Sequence, residues 1–193
     1  MSTGKVIVHR SMSLDGFVAG PDHEMDWIFE HAAPGEGAEE IMAATGAILS
    51  GRNTYEVGRR SRRPETSAAY GGAWSGAEFV LTHKEKTASD DPAAVFLSGD
   101  VADAVATGLA AAGGRNLEVH GTNVTAQCLA LGLVDEIYVH VLPVLLGAGV
   151  PLYVTDGMRS VNLELLGSNI SSSVTSLRYR VRGSVTRLDR ELN

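Results

Sequence analysis

Short apolar runs alternate with amphipathic segments over the first two thirds of the chain. Runs of β-branched or otherwise apolar residues predict buried strands, and they occupy residues 5–10, 47–50, 78–82, 94–97, 116–120 and 135–141. Helical spacing appears between these runs. The clearest helical stripe follows Asp100, a candidate helix cap, and consists of Val101, Ala104, Val105, Gly108, Leu109 and Ala112. Strands that alternate with helices in this way predict a mainly parallel sheet.

The remaining segments of the first half are shorter or richer in turn-forming residues. Residues 27–31 and 37–45 have helical patterns, whereas residues 11–27 predict a long, ordered loop that lines a cleft. Residues 61–76 contain a proline and two adjacent glycines, which predict a mobile loop near the site.

The last third of the chain has a different pattern. Two runs, 161–166 and 174–181, alternate apolar and polar residues and are divided by residues 167–169 and a serine cluster. This alternation is typical of strands with one buried and one solvated face, so it predicts a hairpin. With 193 residues and 44% hydrophobic content, the chain can bury one sizeable core. We therefore predict a single domain over residues 1–193, an α/β protein with three α/β/α layers, a mainly parallel central sheet and an antiparallel C-terminal hairpin.

Charge and cysteine content narrow the function classes. The chain has 16 Lys+Arg against 23 Asp+Glu, a net charge of −7, which argues against nonspecific binding to nucleic acid or to anionic membranes. No apolar stretch approaches about 20 residues, and the N-terminus lacks the pattern of a signal peptide. We therefore expect a cytoplasmic protein with neither a membrane nor a nucleic-acid partner. Because Cys128 is the only cysteine, a multi-cysteine metal site is excluded and no metal is expected.

Residues 118–129 read as a strand end, a glycine turn and the first turn of a helix. Gly121 lets a ligand approach the backbone closely, and the unpartnered N–H groups of a helix start favour a phosphate there. Thr122 and Asn123 are candidate caps for this helix. A plain strand-to-helix turn with an ordinary cap fits this stretch equally well. The predicted apolar face of the helix consists of Val124, Cys128 and Leu131.

Residues 51–58 repeat this arrangement with Arg52 at the helix start, where a guanidinium group binds phosphate well. In a parallel sheet the ligand lies beyond the carboxyl ends of the strands. The turns that follow predicted strands are therefore expected to converge on one cleft, and they are residues 13–16, 51–54, 82–84 and 121–124.

Several segments resemble, in order and spacing, the dihydrofolate-reductase-like proteins that include the C-terminal reductase domain of the riboflavin-biosynthesis protein RibD. They are residues 13–20, 51–56, 120–124 and 133–149. The resemblance implies a dihydrofolate-reductase-like fold, NADPH as cofactor and a homodimer. It also implies hydride transfer to a small heterocyclic or carbonyl-like acceptor, as in 5-amino-6-(5-phosphoribosylamino)uracil reductase. The alternative is a non-catalytic dimer that binds and senses NADPH.

The resemblance also implies which residues bind the cofactor. Its phosphates are held by the turn of Gly51, Arg52, Asn53 and Thr54. The pyrophosphate is cradled by Gly121, Thr122, Asn123 and Val124. Thr82 and His83, with Lys84 beside them, lie by the adenosine 2′-phosphate. The loop that flanks the nicotinamide contributes Asp15, Gly16 and Phe17.

The proton donor is less well defined. Dihydrofolate reductases place an acid on the first helix, and Asp26 is the nearest match, although it fits equally as a helix cap. Asp15 is a second catalytic candidate, and Trp27 is the candidate substrate contact. A catalytic acid is unnecessary if water delivers the proton. Residues 39–45 lack the His and Arg that riboflavin reductases carry there, which argues against the riboflavin step itself.

Overall fold

The computed structural model describes residues 4–31, 38–60, 68–84, 94–153, 160–171 and 173–184. These residues form an eight-stranded sheet with the order β5-β4-β3-β6-β1-β7-β10-β9. Its strands are β1 Val6–Ser13, β3 Thr45–Gly51, β4 Ala77–Leu81, β5 Ala94–Leu97, β6 Asn116–His120, β7 Glu136–Leu142, β9 Val161–Ser171 and β10 Val174–Ser184. A separate two-stranded ribbon pairs β2 Phe17–Ala19 with β8 Val150–Pro151.

The sheet is parallel from β5 to β7 and antiparallel beyond it. Strand β1 lies between β6 and β7, and Ile7 pairs with Glu118 on one side and Glu136 on the other. Strand β10 runs antiparallel to both β7 and β9. The predicted mainly parallel sheet with a C-terminal hairpin is therefore confirmed. Residues 167–169 do not divide the hairpin, however, because their backbone continues the pairing of β9 with β10.

Helices occupy the connections between the parallel strands. Within the described residues they are α1 Glu39–Ala44, α2 Arg52–Arg60, α3 Val101–Ala111 and α4 Thr122–Ala130, with 3-10 helices at Asp26–Glu30 and Ala69–Gly72. The predicted cap of α3 is confirmed, since Asp100 Oδ1 accepts a hydrogen bond of 3.0 Å from the backbone N–H of Asp103. None of the described helices is long and apolar enough to span a membrane.

One face of the sheet packs against α3 and α4. Leu117 and Val119 of β6 point into this core and have no exposed surface. Gly108 brings α3 close to the sheet, because a Cβ at that position would lie only 2.7 Å from Leu117 Cδ1. Burying a leucine side chain of this kind contributes about 1.5–3 kcal/mol to folding. The prediction for α4 was wrong at Leu131, which follows the end of the helix and is exposed.

The opposite face of the sheet carries polar side chains in its centre. Successive residues of a strand point to opposite faces, so Glu118 and His120 alternate with the apolar Leu117 and Val119 of β6. Glu118 is nevertheless almost completely buried. Buried carboxylates need hydrogen-bonding partners, and this face provides them.

The ribbon of β2 and β8 closes over the carboxyl end of β1. The segment predicted as a continuous loop, residues 11–27, thus contains the end of β1 and the short strand β2. Gly16 O accepts a hydrogen bond of 2.9 Å from the backbone N–H of Leu152. Gly149 allows the close approach of the backbones of β2 and β8, since a Cβ there would lie 2.1 Å from Ala19 O.

Candidate functional site

The two predicted glycine turns are in direct contact at the carboxyl edge of the sheet. Gly121 has a φ of +92°, and a Cβ at this position would lie 2.4 Å from Thr54 Oγ1. A Cβ on Gly51 would lie 3.1 Å from Val124 Cγ2. Strands β3 and β6 are parallel neighbours, so their two turns emerge side by side. The structure therefore joins the two segments that the sequence indicated as phosphate cradles.

The start of α4 has no side-chain cap. The capping prediction for Thr122 and Asn123 was wrong, because Gly121 is the N-cap residue. The Thr122 hydroxyl instead donates to Pro151 O at 2.9 Å, and Asn123 Oδ1 accepts from Gln127 Nε2 at 2.5 Å. A helix start without a side-chain cap keeps its N–H donors for an anionic ligand.

Arg52 is held in place by its own helix and by an aromatic ring. Its Nε donates to Glu56 Oε1 at 2.7 Å, and its guanidinium carbon lies 5.0 Å from the ring centroid of Phe96. The hydrogen bond from Arg52 also lowers the pKa of Glu56. The cationic group is thus fixed at the first turn of α2, where only 18% of its side chain is exposed.

The next turn along the sheet edge follows β4. Strand β4 is parallel to β3, and its last residue, Leu81, pairs with Gly51. Thr82 is buried, and its Oγ1 accepts a hydrogen bond of 3.0 Å from the backbone N–H of Lys84. His83 and Lys84 are exposed at this edge. Asn53, at the start of α2, is exposed as well.

Asp15 connects two loops. Its Oδ1 accepts hydrogen bonds from Ser13 Oγ at 2.6 Å and from the backbone N–H of Leu146 at 3.1 Å, while Oδ2 accepts from Gly147 at 2.7 Å. The Ser13 hydrogen bond, with those of the backbone, lowers the pKa of the Asp15 carboxyl group. Ser13 Oγ also accepts from the backbone N–H of Phe17 at 2.9 Å. Asp15 is therefore an ionised acceptor that fixes the adjoining Gly16 turn.

Asp26 and Trp27 are adjacent in sequence but differ in solvent exposure. Asp26 begins the 3-10 helix, but Met25 is the N-cap and makes no side-chain capping bond, so the interpretation of Asp26 as a cap was wrong. Asp26 is exposed, whereas Trp27 retains only 8% exposure and packs with Leu142 and Val174. Among the described residues, nothing accepts a hydrogen bond from the buried Trp27 Nε1.

A buried network on the polar face of the sheet was missed by the sequence reasoning. Tyr70 OH lies 2.6 Å from Glu118 Oε2 and 3.0 Å from His9 Nδ1. His120 Nε2 lies 2.7 Å from Glu118 Oε1, and His9 Nε2 lies 2.8 Å from His140 Nε2. The available signal was the alternation of polar and apolar residues in β6 and β7, which marks one polar face on two central strands.

Tyr70 belongs to a segment predicted as a mobile loop, of which residues 61–67 lie outside the described residues. In the described part, Tyr70 has a φ of +53°, a left-handed conformation that is uncommon for a residue other than glycine. Such strain persists only where the surroundings over-determine it. The hydrogen bonds of the phenol to Glu118 and His9 are the contacts that hold Tyr70 there.

The charges of this network are balanced around Glu118. Burial alone would raise the pKa of its carboxyl group, but His120 and His9 hold that pKa well below its ordinary value. Burial and the positive charge of Arg10 lower the pKa of the His120 imidazole, against the opposite effect of Glu118. Burial, and then Glu118, raises the pKa of the Tyr70 phenol. At neutral pH the network therefore contains a carboxylate, a neutral His120 and a protonated phenol.

Comparisons with known proteins identify the family and the fold. The model of the RibD C-terminal domain family matches residues 4–176. The uncharacterized protein YyaP of Bacillus subtilis strain 168 is 26% identical over 186 residues, which cover 93% of this chain and 96% of YyaP.

Two solved structures share the fold. A putative riboflavin biosynthesis protein from Shewanella sp. PV-4 superposes with a TM-score of 0.75 at 24% identity, over 92% of this chain and 99% of that one. Dihydrofolate reductase from Enterococcus faecalis, complexed with NADP(H), gives a TM-score of 0.59 at 13% identity, over 94% and 98% of the two chains. The predicted dihydrofolate-reductase-like fold is therefore confirmed, and the chain belongs to the RibD C-terminal domain family.

Proposed function

We propose that this protein is an NADPH-dependent reductase that transfers a hydride to a small heterocyclic or carbonyl-like acceptor. The observation that carries the proposal is the contact between the two glycine turns, where Gly121 approaches Thr54 too closely for any side chain. A cradle of backbone N–H groups beside a fixed guanidinium, that of Arg52, suits the pyrophosphate of a dinucleotide. Membership of a family with reductase members gives the proposal independent support.

The residues at the sheet edge divide the binding of the cofactor among them. The turn of Gly51, Arg52, Asn53 and Thr54 and the turn of Gly121, Thr122, Asn123 and Val124 hold the phosphates. Thr82 and His83 bind the adenosine 2′-phosphate, with Lys84 adding positive charge, and this contact selects NADPH over NADH. The bound nicotinamide supplies the hydride, and the protein supplies binding and orientation.

The reaction end of the site lies at the Ser13–Gly16 turn. Asp15 holds this turn against residues 146–147, so that Gly16 and Phe17 border the nicotinamide. The buried indole of Trp27 contributes to the wall of the acceptor pocket. Asp15 is not the proton donor in this scheme, because its two oxygens already accept hydrogen bonds and its pKa is lowered. The exposed Asp26 lies at the start of the neighbouring 3-10 helix and serves at most an accessory role.

The chemical class of the acceptor follows from the family resemblance and from one difference between this chain and the riboflavin reductases. Dihydrofolate and 5-amino-6-(5-phosphoribosylamino)uracil are the acceptors that the resemblance implies. Helix α1, Glu39–Ala44, contains neither histidine nor arginine, which argues against the phosphoribosyl substrate. We therefore place the acceptor among uncharged or weakly charged heterocycles and carbonyl compounds, and we propose that the chain acts as a homodimer in the cytoplasm.

Turnover tests this function directly. NADPH deuterated at C4 is incubated with the protein and a panel of acceptors that includes dihydrofolate, 5-amino-6-(5-phosphoribosylamino)uracil, quinones and aldehydes. NADPH oxidation, with deuterium found on a carbon of one product, is the expected result, and NADH should react more slowly. Tight NADPH binding without oxidation by any acceptor would overturn the reductase and support the sensing dimer. Light scattering during size-exclusion chromatography measures the oligomeric state.

A further inference from the structure

The buried network ends at the glycine cradle. His120 is the last residue of β6 and immediately precedes Gly121. Its side chain is 23% exposed, whereas that of its partner Glu118 is 2% exposed. The network therefore extends from the interior of the sheet to the edge where the proposed cofactor binds.

The donors and acceptors that each side chain carries fix which atom donates in every hydrogen bond near Glu118. An ionised carboxylate only accepts hydrogen bonds, so Tyr70 donates its single proton to Glu118 Oε2 and His120 donates through Nε2 to Oε1. The Tyr70 oxygen is then left as the acceptor for His9 Nδ1–H. Because its Nε2 carries the proton, the neutral His120 imidazole has an unprotonated Nδ1.

The network continues beyond His9 to its far end. His9 Nε2 lies at hydrogen-bond distance, 2.8 Å, from His140 Nε2. His140 Nδ1 in turn lies 2.7 Å from the hydroxyl oxygen of Ser176. Arg10 lies 3.7 Å from Glu118 Oε1 and already balances its charge.

We propose that His120 delivers the proton in the reduction and that Glu118 is its positioning residue. This inference depends on the proposed function. The acceptor carbon of a C=O or C=N bond gains a hydride, with its two electrons, from the cofactor. The heteroatom gains a proton from Nδ1–H of the His120 imidazolium, which returns to the neutral imidazole with Nε2–H still donated to Glu118. Solvent then reprotonates Nδ1.

Cofactor binding supplies the charged form of His120. In the free protein, burial and Arg10 keep the imidazole neutral. Phosphate anions held at the adjacent Gly121 turn favour protonation of this ring. Several groups contact His120, Glu118 or their hydrogen-bond partners. They are His9 and Arg10 of β1, Thr45 of β3, Tyr70 of the 3-10 helix Ala69–Gly72, His140 of β7 and Ser176 of β10. Among these, Arg10 and, to a smaller extent, His9 oppose protonation of His120.

Proton uptake on NADPH binding tests this inference without turnover. Isothermal titration calorimetry in buffers of different ionisation enthalpy, at slightly alkaline pH, counts the protons bound with each nucleotide. The wild type should take up roughly one proton more than His120→Gln, and by linkage the variant should bind NADPH about tenfold more weakly than the wild type at this pH. Protons bound or released by the phosphates of the nucleotide count equally for both proteins. The difference in proton uptake between wild type and His120→Gln therefore measures the contribution of His120.

Controls separate this site from other titrating groups. His83→Gln removes an imidazole of the proposed 2′-phosphate subsite, so it should weaken NADPH binding but retain, at saturating NADPH, the uptake that His120 causes. Glu118→Gln should lose that uptake, since the carboxylate stabilises the imidazolium. Nitrogen-15 NMR of histidine-labelled wild-type protein gives a second readout that needs no variant. His120 should change from its Nε2–H tautomer to the doubly protonated form when NADPH binds.

The outcomes distinguish the two proposals. If the folded wild type does not bind NADPH, the proposed function fails and this inference fails with it. If NADPH binds but His120 remains neutral by NMR, or if His120→Gln takes up as many protons as the wild type, the inference is wrong while the proposed function stands.

Discussion

The backbone N–H of Gly147 donates to Asp15 Oδ2 at 2.7 Å, across 132 positions of sequence. With the neighbouring bond from Leu146, this contact fixes the loop after β7 to the turn after β1. The two backbone donors bind different oxygens of Asp15, so the contact requires both carboxylate oxygens as acceptors. This requirement gives Asp15 a structural role beside the proposed nicotinamide pocket.

Asp15→Asn should loosen this loop and weaken NADPH binding. The amide NH₂ of asparagine would face a backbone donor on one side, so one of the hydrogen bonds of Asp15 is lost. We expect a lower urea midpoint and a higher NADPH Kd than for the wild type. Asp22→Asn, at an exposed position of the β2 to 3-10 connection, is the matched control and should leave both values unchanged. An unchanged Kd in Asp15→Asn would contradict the proposed role.

The stabilisation by Asp15 should depend on pH in one direction. Its pKa is lowered in the folded state, so the contribution is fully present above the unfolded pKa of about 3.9. It is lost as the pH falls through the folded pKa. The difference in free energy of unfolding between wild type and Asp15→Asn should thus be constant from pH 7 to about pH 5 and shrink below about pH 4. A difference that grows on acidification would be incompatible with an ionised Asp15.

The packing of α3 on the sheet predicts that Gly108→Ala changes the free energy of unfolding in opposite directions in the wild type and in Leu117→Ala. In the wild type, Gly108→Ala should destabilise by about 1–2 kcal/mol, because the new methyl group meets the Leu117 side chain. Leu117→Ala alone should cost about 2–5 kcal/mol. In that background Gly108→Ala should instead stabilise by up to about 1 kcal/mol, since alanine favours the helix and the space is now open. Equal effects of Gly108→Ala in both backgrounds, measured by urea denaturation, would refute the contact.

Tyr70→Phe should destabilise the protein by about 1.5–3 kcal/mol, the range for a hydrogen bond to a charged group. The loss of the phenol leaves Glu118 Oε2 and His9 Nδ1 without their mutual partner. Tyr179→Phe is the control, because Tyr179 packs against the core from β10. Chemical denaturation at neutral pH measures both variants. A cost for Tyr70→Phe no larger than that for Tyr179→Phe would mean that the network does not depend on the phenol.

The fold was largely predictable because its signals are local. The strand and helix patterns around Asp100 and residues 116–120 depend on neighbouring residues, and both elements occur where the pattern placed them. The glycine turns were found for the same reason. Residues 167–169 were misjudged because glycine and small polar residues signal a turn, whereas pairing of β9 with β10 kept the backbone extended.

The network around Glu118 could not be assembled from the sequence. His9 and His140 are separated by 131 positions and Tyr70 and Glu118 by 48, so only the strand order brings them together. The alternating pattern marked a polar face in β7, but it did not indicate that the face is buried. The capping prediction for Thr122 failed for a related reason, since its acceptor, Pro151 O, lies on a distant strand.

Nucleotide titration of the Gly121→Ala variant tests the central claim, a dinucleotide cradle at the contact of Gly121 and Thr54. NADPH and NADH are titrated separately against the intrinsic fluorescence of Trp27 and Trp74. Gly99→Ala is the control, because Gly99 also has a positive φ but its Cβ would meet open space. The wild type and Gly99→Ala should bind NADPH saturably and more tightly than NADH, whereas Gly121→Ala should lose at least about tenfold in affinity, or 1.4 kcal/mol. Failure of the folded wild type to bind either nucleotide, or unchanged binding by Gly121→Ala, would contradict the cradle.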